Sequence, residues 1–80
     1  MPHYYFNLYE GDEVVVDPFG LERHDLAAAR VEALAGARDI MCAEVQHGRL
    51  SLTSRIEVLD ADGVIVLTLA FRDAVTLSGQ

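Results

Sequence analysis

Arg55 to Phe71 reads RIEVLDADGVIVLTLAF, and this stretch decides the fold. Ile65, Leu67, Leu69 and Phe71 recur at every second position, the period at which strand side chains return to one face. Ile56, Glu57, Val58 and Leu59 alternate less completely. Between the two runs, Asp60-Ala61-Asp62-Gly63 carries turn chemistry: Asp bonds its own backbone and Gly accepts positive φ. A β-hairpin follows. A two-residue loop sets Val58 opposite Leu67 and Ile56 opposite Leu69. A four-residue loop sets Val58 opposite Ile65 and Ile56 opposite Leu67. Both keep apolar opposite apolar, so both stand. A three-residue loop would set Glu57 against Leu67 and mix the faces, and this reading excludes it.

The second strand is apolar on its back as well. Val64, Val66 and Ala70 point away from the inner row, beside Leu59. A strand apolar on both faces is usually covered on both, and one helix covers only one face of a four-stranded sheet. The back is therefore expected to be an interaction surface. Tyr5 and Tyr9 of the first strand join Leu59, Val64, Val66 and Ala70 there, since tyrosine is enriched at interfaces. Against this stands the plain alternative that the tyrosines are strand formers packed on their neighbours.

Outward from the hairpin, His3 to Tyr9 (HYYFNLY) places Tyr4, Phe6 and Leu8 on one face and His3, Tyr5, Asn7 and Tyr9 on the other. Glu10-Gly11-Asp12 turns the chain into a short return strand, Glu13 to Asp17. Asp17-Pro18-Phe19-Gly20 suits a type I turn, and Gly20 to Glu22 offers a short third strand. A helix is expected from an Asp25 N-cap through Leu26 to Gln46 or His47, with Gly48 as a left-handed cap. Leu26, Ala29, Ala33, Leu34, Ala37, Ile40 and Met41 share its core face, with Val45 at the margin. Arg30 and Glu44 fall on that face and must snorkel outward. Beyond Phe71, Val75 and Leu77 are candidates to extend or dock. The architecture is α+β, a β-hairpin, a long helix and a second β-hairpin (ββαββ). The sheet is antiparallel-rich, with one helix packed on one face, and its strand order is left open.

Eighty residues make one domain, 1–80. Leu, Ile, Val and Phe supply 25 of them, enough to build a core. A chain this small buries only about 60% of its unfolded surface, which favours association. The net charge of −7, from 13 acidic and 6 basic side chains, makes nucleic acid an unlikely partner. The six basic residues are scattered arginines. A single Cys42 forms no internal disulfide. The opening lacks a basic segment followed by an apolar one, and no apolar run approaches the ~20 residues of a membrane span. A soluble cytoplasmic protein with no membrane partner is expected.

No reaction follows from these residues. His24 and His47 stand at opposite ends of a helix about 33 Å long, too far apart to share a metal within one chain. Asp60-Ala61-Asp62-Gly63 lacks the further oxygens of a calcium loop. Ser51, Ser54 and Cys42 sit in no nucleophile motif, and no glycine loop cradles a phosphate. No catalytic residue, cofactor or metal is expected.

Met1-Pro2-x-Tyr4-Tyr5-Phe6, Asp17-x-x-Gly20, Asp25-Leu26-x-x-Ala29 and Ile56-x-Val58-x-Asp60-x-Asp62-Gly63 with Phe71 together cover nearly the whole chain. In these residues the chain resembles a family of short bacterial proteins classed as a domain of unknown function. The resemblance implies a small bacterial cytoplasmic protein and brings no catalytic residues. The order of elements also resembles antitoxins of the HicB type, without their DNA-binding extension. The leading expectation is a non-enzymatic interaction or regulatory module, a homodimer or a docking partner of another protein, acting through an uncovered sheet face. The alternatives are a HicB-like antitoxin or nucleic-acid-linked regulator, and a small-ligand binder with a tyrosine-lined cleft.

Overall fold

A computed structural model describes residues 1–76 and Ser78. Its strands are β1 (His3–Glu10), β2 (Glu13–Val15) and β3 (Leu21–Glu22), followed after the helix α1 (Leu26–Gln46) by β4 (Arg55–Leu59) and β5 (Ile65–Ala70). All pairings are antiparallel, and the order is β2-β1-β4-β5, with β3 pairing the start of β1. The two hairpins are thus zipped together through β1 and β4. The expected α+β arrangement is the observed one, and the short third strand offered at Gly20 to Glu22 is present as the two-residue β3.

α1 begins and ends where its cap residues dictate. Asp25 is extended, and its carboxylate accepts from the Ala28 N–H at 2.9 Å. Gly48 takes φ 80°, and the N–H groups of His47, Gly48 and Arg49 return to the carbonyls of Glu44 and Val45. Ala29, Ala33, Ala37 and Met41, spaced by four, are buried against Ile56, Val58, Leu69 and Phe71. Three alanines in that row let the helix backbone lie close to the sheet. Leu34 and Ile40 pack beside them, whereas Leu26 and Val45 stay exposed at the two ends. Arg30 is exposed as expected, and half-buried Glu44 accepts from the Ser51 N–H.

The second hairpin departs from the expected loop. In its body Val58 pairs with Leu67 and Ile56 with Leu69, the register of the two-residue alternative. Next to the turn Leu59 pairs with Ile65, one residue out of step. Asp60 donates to the Val64 carbonyl and accepts from the Gly63 N–H, with Gly63 at φ 81°. The loop is therefore the three-residue kind, Ala61-Asp62-Gly63, that face matching had excluded. A β-bulge at Val66 absorbs the extra residue and restores the matched faces further along.

The bulge also changes which residues are inside. Ile65, expected in the inner row, is exposed, and Val66, expected on the back, packs against the core. β5 ends at Ala70, and Phe71 opens a 3-10 turn (Phe71–Asp73) with its ring fully buried. The tail docks on the helix side: Ala74 is buried, Val75 packs on the core and Arg38 Nε donates to the Ala74 carbonyl at 2.8 Å. Leu77 lies outside the described residues.

Candidate interaction surface

The back of the sheet is built in cross-strand rows. Tyr9 pairs with Arg55, and Arg55 with Ala70. Asn7, Glu57 and Thr68 form the next row, and Tyr5, Leu59 and Ile65 the third. The first two rows satisfy one another. The Arg55 guanidinium lies 4.3 Å from the centre of the Tyr9 ring and its Nε sits 3.1 Å from a Glu57 oxygen. A hydrogen bond to Glu57 raises the Tyr9 phenol above its ordinary 10.0, reinforced by burial and the negative charge of Glu57 and opposed by Arg55. Asn7 Oδ1 accepts from the Asp17 N–H at 2.9 Å.

Of the six residues expected to share this face, Tyr5, Leu59 and Tyr9 take their places in the rows, whereas exposed Val64, next to Ile65 and opposite Asp60, falls on the other side of the alternation. Ala70 is half-buried beside Arg55. Val66 does not belong, because the bulge turns it inward, and Ile65 takes its place. The apolar part of the back therefore contracts to Tyr5, Leu59 and Ile65 at one end, where the His3 and Tyr5 ring centres lie 5.0 Å apart. The cleft that a tyrosine does line, about 300 Å³, is bordered by Tyr4 with Pro2, His3, Leu26 and Asp60, on the core side.

A second surface is larger. β2, the following loop and β3 run along the free edge of β1, and Asp17 bridges the gap between the two short strands. Its Oδ2 accepts from Phe6 N–H at 3.1 Å, and its Oδ1 accepts from the Phe19 and Gly20 N–H groups at 3.1 and 3.0 Å. The carboxylate thus replaces the backbone acceptor that a continuous edge strand would present. Burial alone would raise its pKa, but the three N–H groups and nearby His3 draw it below the ordinary 3.8. Gly20 makes the loop's close approach: at φ 65°, a Cβ there would stand 2.6 Å from the Tyr4 carbonyl and 2.7 Å from His3 Nε2. At the tip Phe19 is 81% exposed.

Val14, Val15, Val16 and Leu21 are exposed along the same edge, Val15 and Leu21 on the inner side opposite Leu8 and Tyr4, and Val14 on the back opposite Tyr9. The placement of the helix explains the exposure on the inner side. α1 packs mainly on β4 and β5; on the same side of the sheet Tyr4 of β1 is buried, Phe6 and Leu8 are half-buried, and β2 is left exposed. Two cavities of about 430 Å³ mark this opening. One is apolar, lined by Phe6, Phe19, Leu21, Ala33, Gly36 and Ile56. The other, at the β1–β2 turn, is lined by Glu10, Glu13, Glu44, Arg49, Ser51 and Ser54 among others. The sequence carries a sign of this surface in Val14-Val15-Val16, three consecutive apolar residues that must place some side chain on each face of a marginal strand.

Among the described residues no helix is long and apolar enough to cross a membrane. No curated protein and no solved structure was found to match the chain. Residues 3–72 match the family described as "Domain of unknown function (DUF6894)", and the chain belongs to that family.

Proposed function

We propose that this chain is a small, non-enzymatic interaction or regulatory module of the bacterial cytoplasm, which self-associates or docks on a protein partner through uncovered sheet surface. The observation that carries this reading is the crowding of exposed apolar residues along one edge. Five of the twelve large apolar side chains exposed among the described residues fall between Val14 and Leu21. Scattered single exposures are normal, whereas exposures gathered along one edge, Val15 and Leu21 on its inner side and Val14 behind, mark a contact surface. β2 adds a free strand edge at the same place, a template for further pairing. The patch of Tyr5, Leu59 and Ile65 is a smaller second contact of the same kind.

The test is mass measurement by light scattering at micromolar concentration, coupled to a pull-down with identified prey. A dimer or a defined complex that Val15→Asp weakens, with helix content unchanged, supports the reading. A chain that is strictly monomeric and captures no partner refutes it.

A further inference from the structure

The inner sheet face beyond α1, over exposed β2 and the half-buried Phe6 and Leu8 of β1, has the breadth of one helix, and from this we infer its occupant: an amphipathic helix of a basic protein partner, lying beside α1. Its apolar stripe rests on Phe6, Leu8, Val15 and Leu21, and a Lys or Arg reaches the acidic cleft at the β1–β2 turn. The inference deepens the interaction-module reading and rests on it.

Neighbouring strands stand about 4.8 Å apart and a helix with its side chains is about 10 Å across, so one helix roofs two strands of a four-stranded sheet. α1 roofs β4 and β5. The strip over β1 and β2 is bounded on one side by α1 and on the other by the loop carrying Phe19. Along α1 it runs from Gly36 in the apolar cavity to Glu44 in the acidic one, about 12 Å at 1.5 Å per residue. Gly36 leaves that flank low, since a Cβ there would meet only Ile56 Cδ1, at 3.9 Å. A second helix packs closely against such a surface.

A second copy of the chain does not supply that helix. α1, the one α-helix among the described residues, spends its apolar row of Ala29, Ala33, Ala37 and Met41 on its own sheet. A second copy also brings another net charge of −7. The charge on the strip selects a basic partner instead. The ion pairs among the described residues are Arg23–Glu32 and Arg55–Glu57. Glu10, Asp12 and Glu13 therefore have no cation within bonding distance there, although Arg49 lines the same cleft as Glu10 and Glu13. A cationic side chain entering beside Glu10 and Glu13 offsets their mutual repulsion across the closing pair of the hairpin.

The probe is an 18-residue Leu/Lys peptide with an amphipathic helical pattern, titrated into the isotopically labelled chain and followed by amide chemical shifts. Its comparators are the same pattern with Glu for Lys and a scrambled peptide of identical composition. The expected shifts fall on Phe6, Leu8, Val15, Leu21, Gly36 and Glu13. Val15→Asp should weaken binding at least tenfold, and the double variant Glu10→Lys with Glu13→Lys should reverse the preference toward the Glu peptide. All three substitutions are outside the buried core, and circular dichroism verifies that the variants fold. Equal binding of the scrambled peptide, or shifts confined to Tyr5, Glu57 and Leu59 on the back, would overturn the inference. So would a mass that doubles for the chain alone and reverts in Val15→Asp, because a second copy would then cover the strip while the module reading survived. A chain that binds no peptide, neither self-associates nor captures a partner fails on both counts.

Discussion

The two hairpins are written in similar residues and meet different fates. β4–β5 contributes Ile56, Val58 and Leu69 to the core, with Phe71 immediately after. β1–β2 contributes buried Tyr4 and half-buried Phe6 and Leu8, while Val14, Val15 and Val16 stand exposed. Neither β-propensity nor hydrophobicity separates Val15 from Val58. The position of α1 does: it lies mainly on β4–β5, and Val15, two strands away from β4 on the inner side, stays open. In a chain of 80 residues burial is therefore rationed by coverage rather than by composition.

The sharpest way to break this contrast is to truncate one apolar residue in each hairpin region. Phe71→Ala should destabilise the chain by about 3–5 kcal/mol, since it empties a fully enclosed ring site. Val15→Ala should change stability by less than about 0.5 kcal/mol, as surface substitutions do. Urea titration of the two variants measures both. Comparable losses would mean that Val15 is covered in solution, and the contrast would fail.

The edge loop supplies the next two effects, because it shows how an uncovered hairpin is still held in place. Gly20→Ala should cost about 2–3 kcal/mol, combining a left-handed backbone with a Cβ driven against the Tyr4 carbonyl. Asp17→Asn should cost about 1–2 kcal/mol, losing the charge that serves three N–H groups in a partly solvated setting. The two variants also differ in pH dependence. The folded pKa of Asp17 lies below its unfolded value, so its contribution is complete above about pH 4. Acid removes that contribution as pH falls through the folded value. Denaturant midpoints of wild type and Asp17→Asn should converge on acidification, whereas those of Gly20→Ala and wild type should stay apart.

Most of the frame was legible because it rests on local chemistry. Asp25, the four-residue spacing of Ala29, Ala33, Ala37 and Met41, and Gly48 set the helix limits without help from tertiary contacts. The alternation from Tyr4 to Leu8 likewise set the inner face of β1. Two features escaped for a common reason. The bulge at Val66 reconciles a three-residue loop with matched faces, and pattern matching that assumes a continuous ladder has no place for an extra residue. The reach of Asp17 to Phe6 joins residues eleven apart, whereas turn statistics see only the bonds to Phe19 and Gly20. The surface reading erred through the same bulge, which exchanged Val66 for Ile65. It also treated the helix as covering the whole of one face, and so looked for open surface only behind the sheet.

The smallest effect tests whether the back of the sheet is as self-contained as its rows imply. Tyr9, Arg55 and Glu57 form a closed set in which the neutral phenol is favoured by hydrogen bonding to Glu57. The Tyr9 pKa is raised, so this contribution is present at neutral pH and lost as pH rises through the folded value. Difference ultraviolet titration of wild type against Tyr9→Phe isolates this phenol from Tyr4 and Tyr5. In wild type it should titrate above 10.0, and in Glu57→Gln it should fall back toward that value, because the charge that disfavours phenolate is gone. The partner peptide supplies the decisive control. Bound on the open inner strip, it touches none of these three residues and leaves the titration unchanged. A shift of the Tyr9 titration on adding peptide would place the ligand on the back, and the distinction between a self-satisfied face and an open one would have to be redrawn.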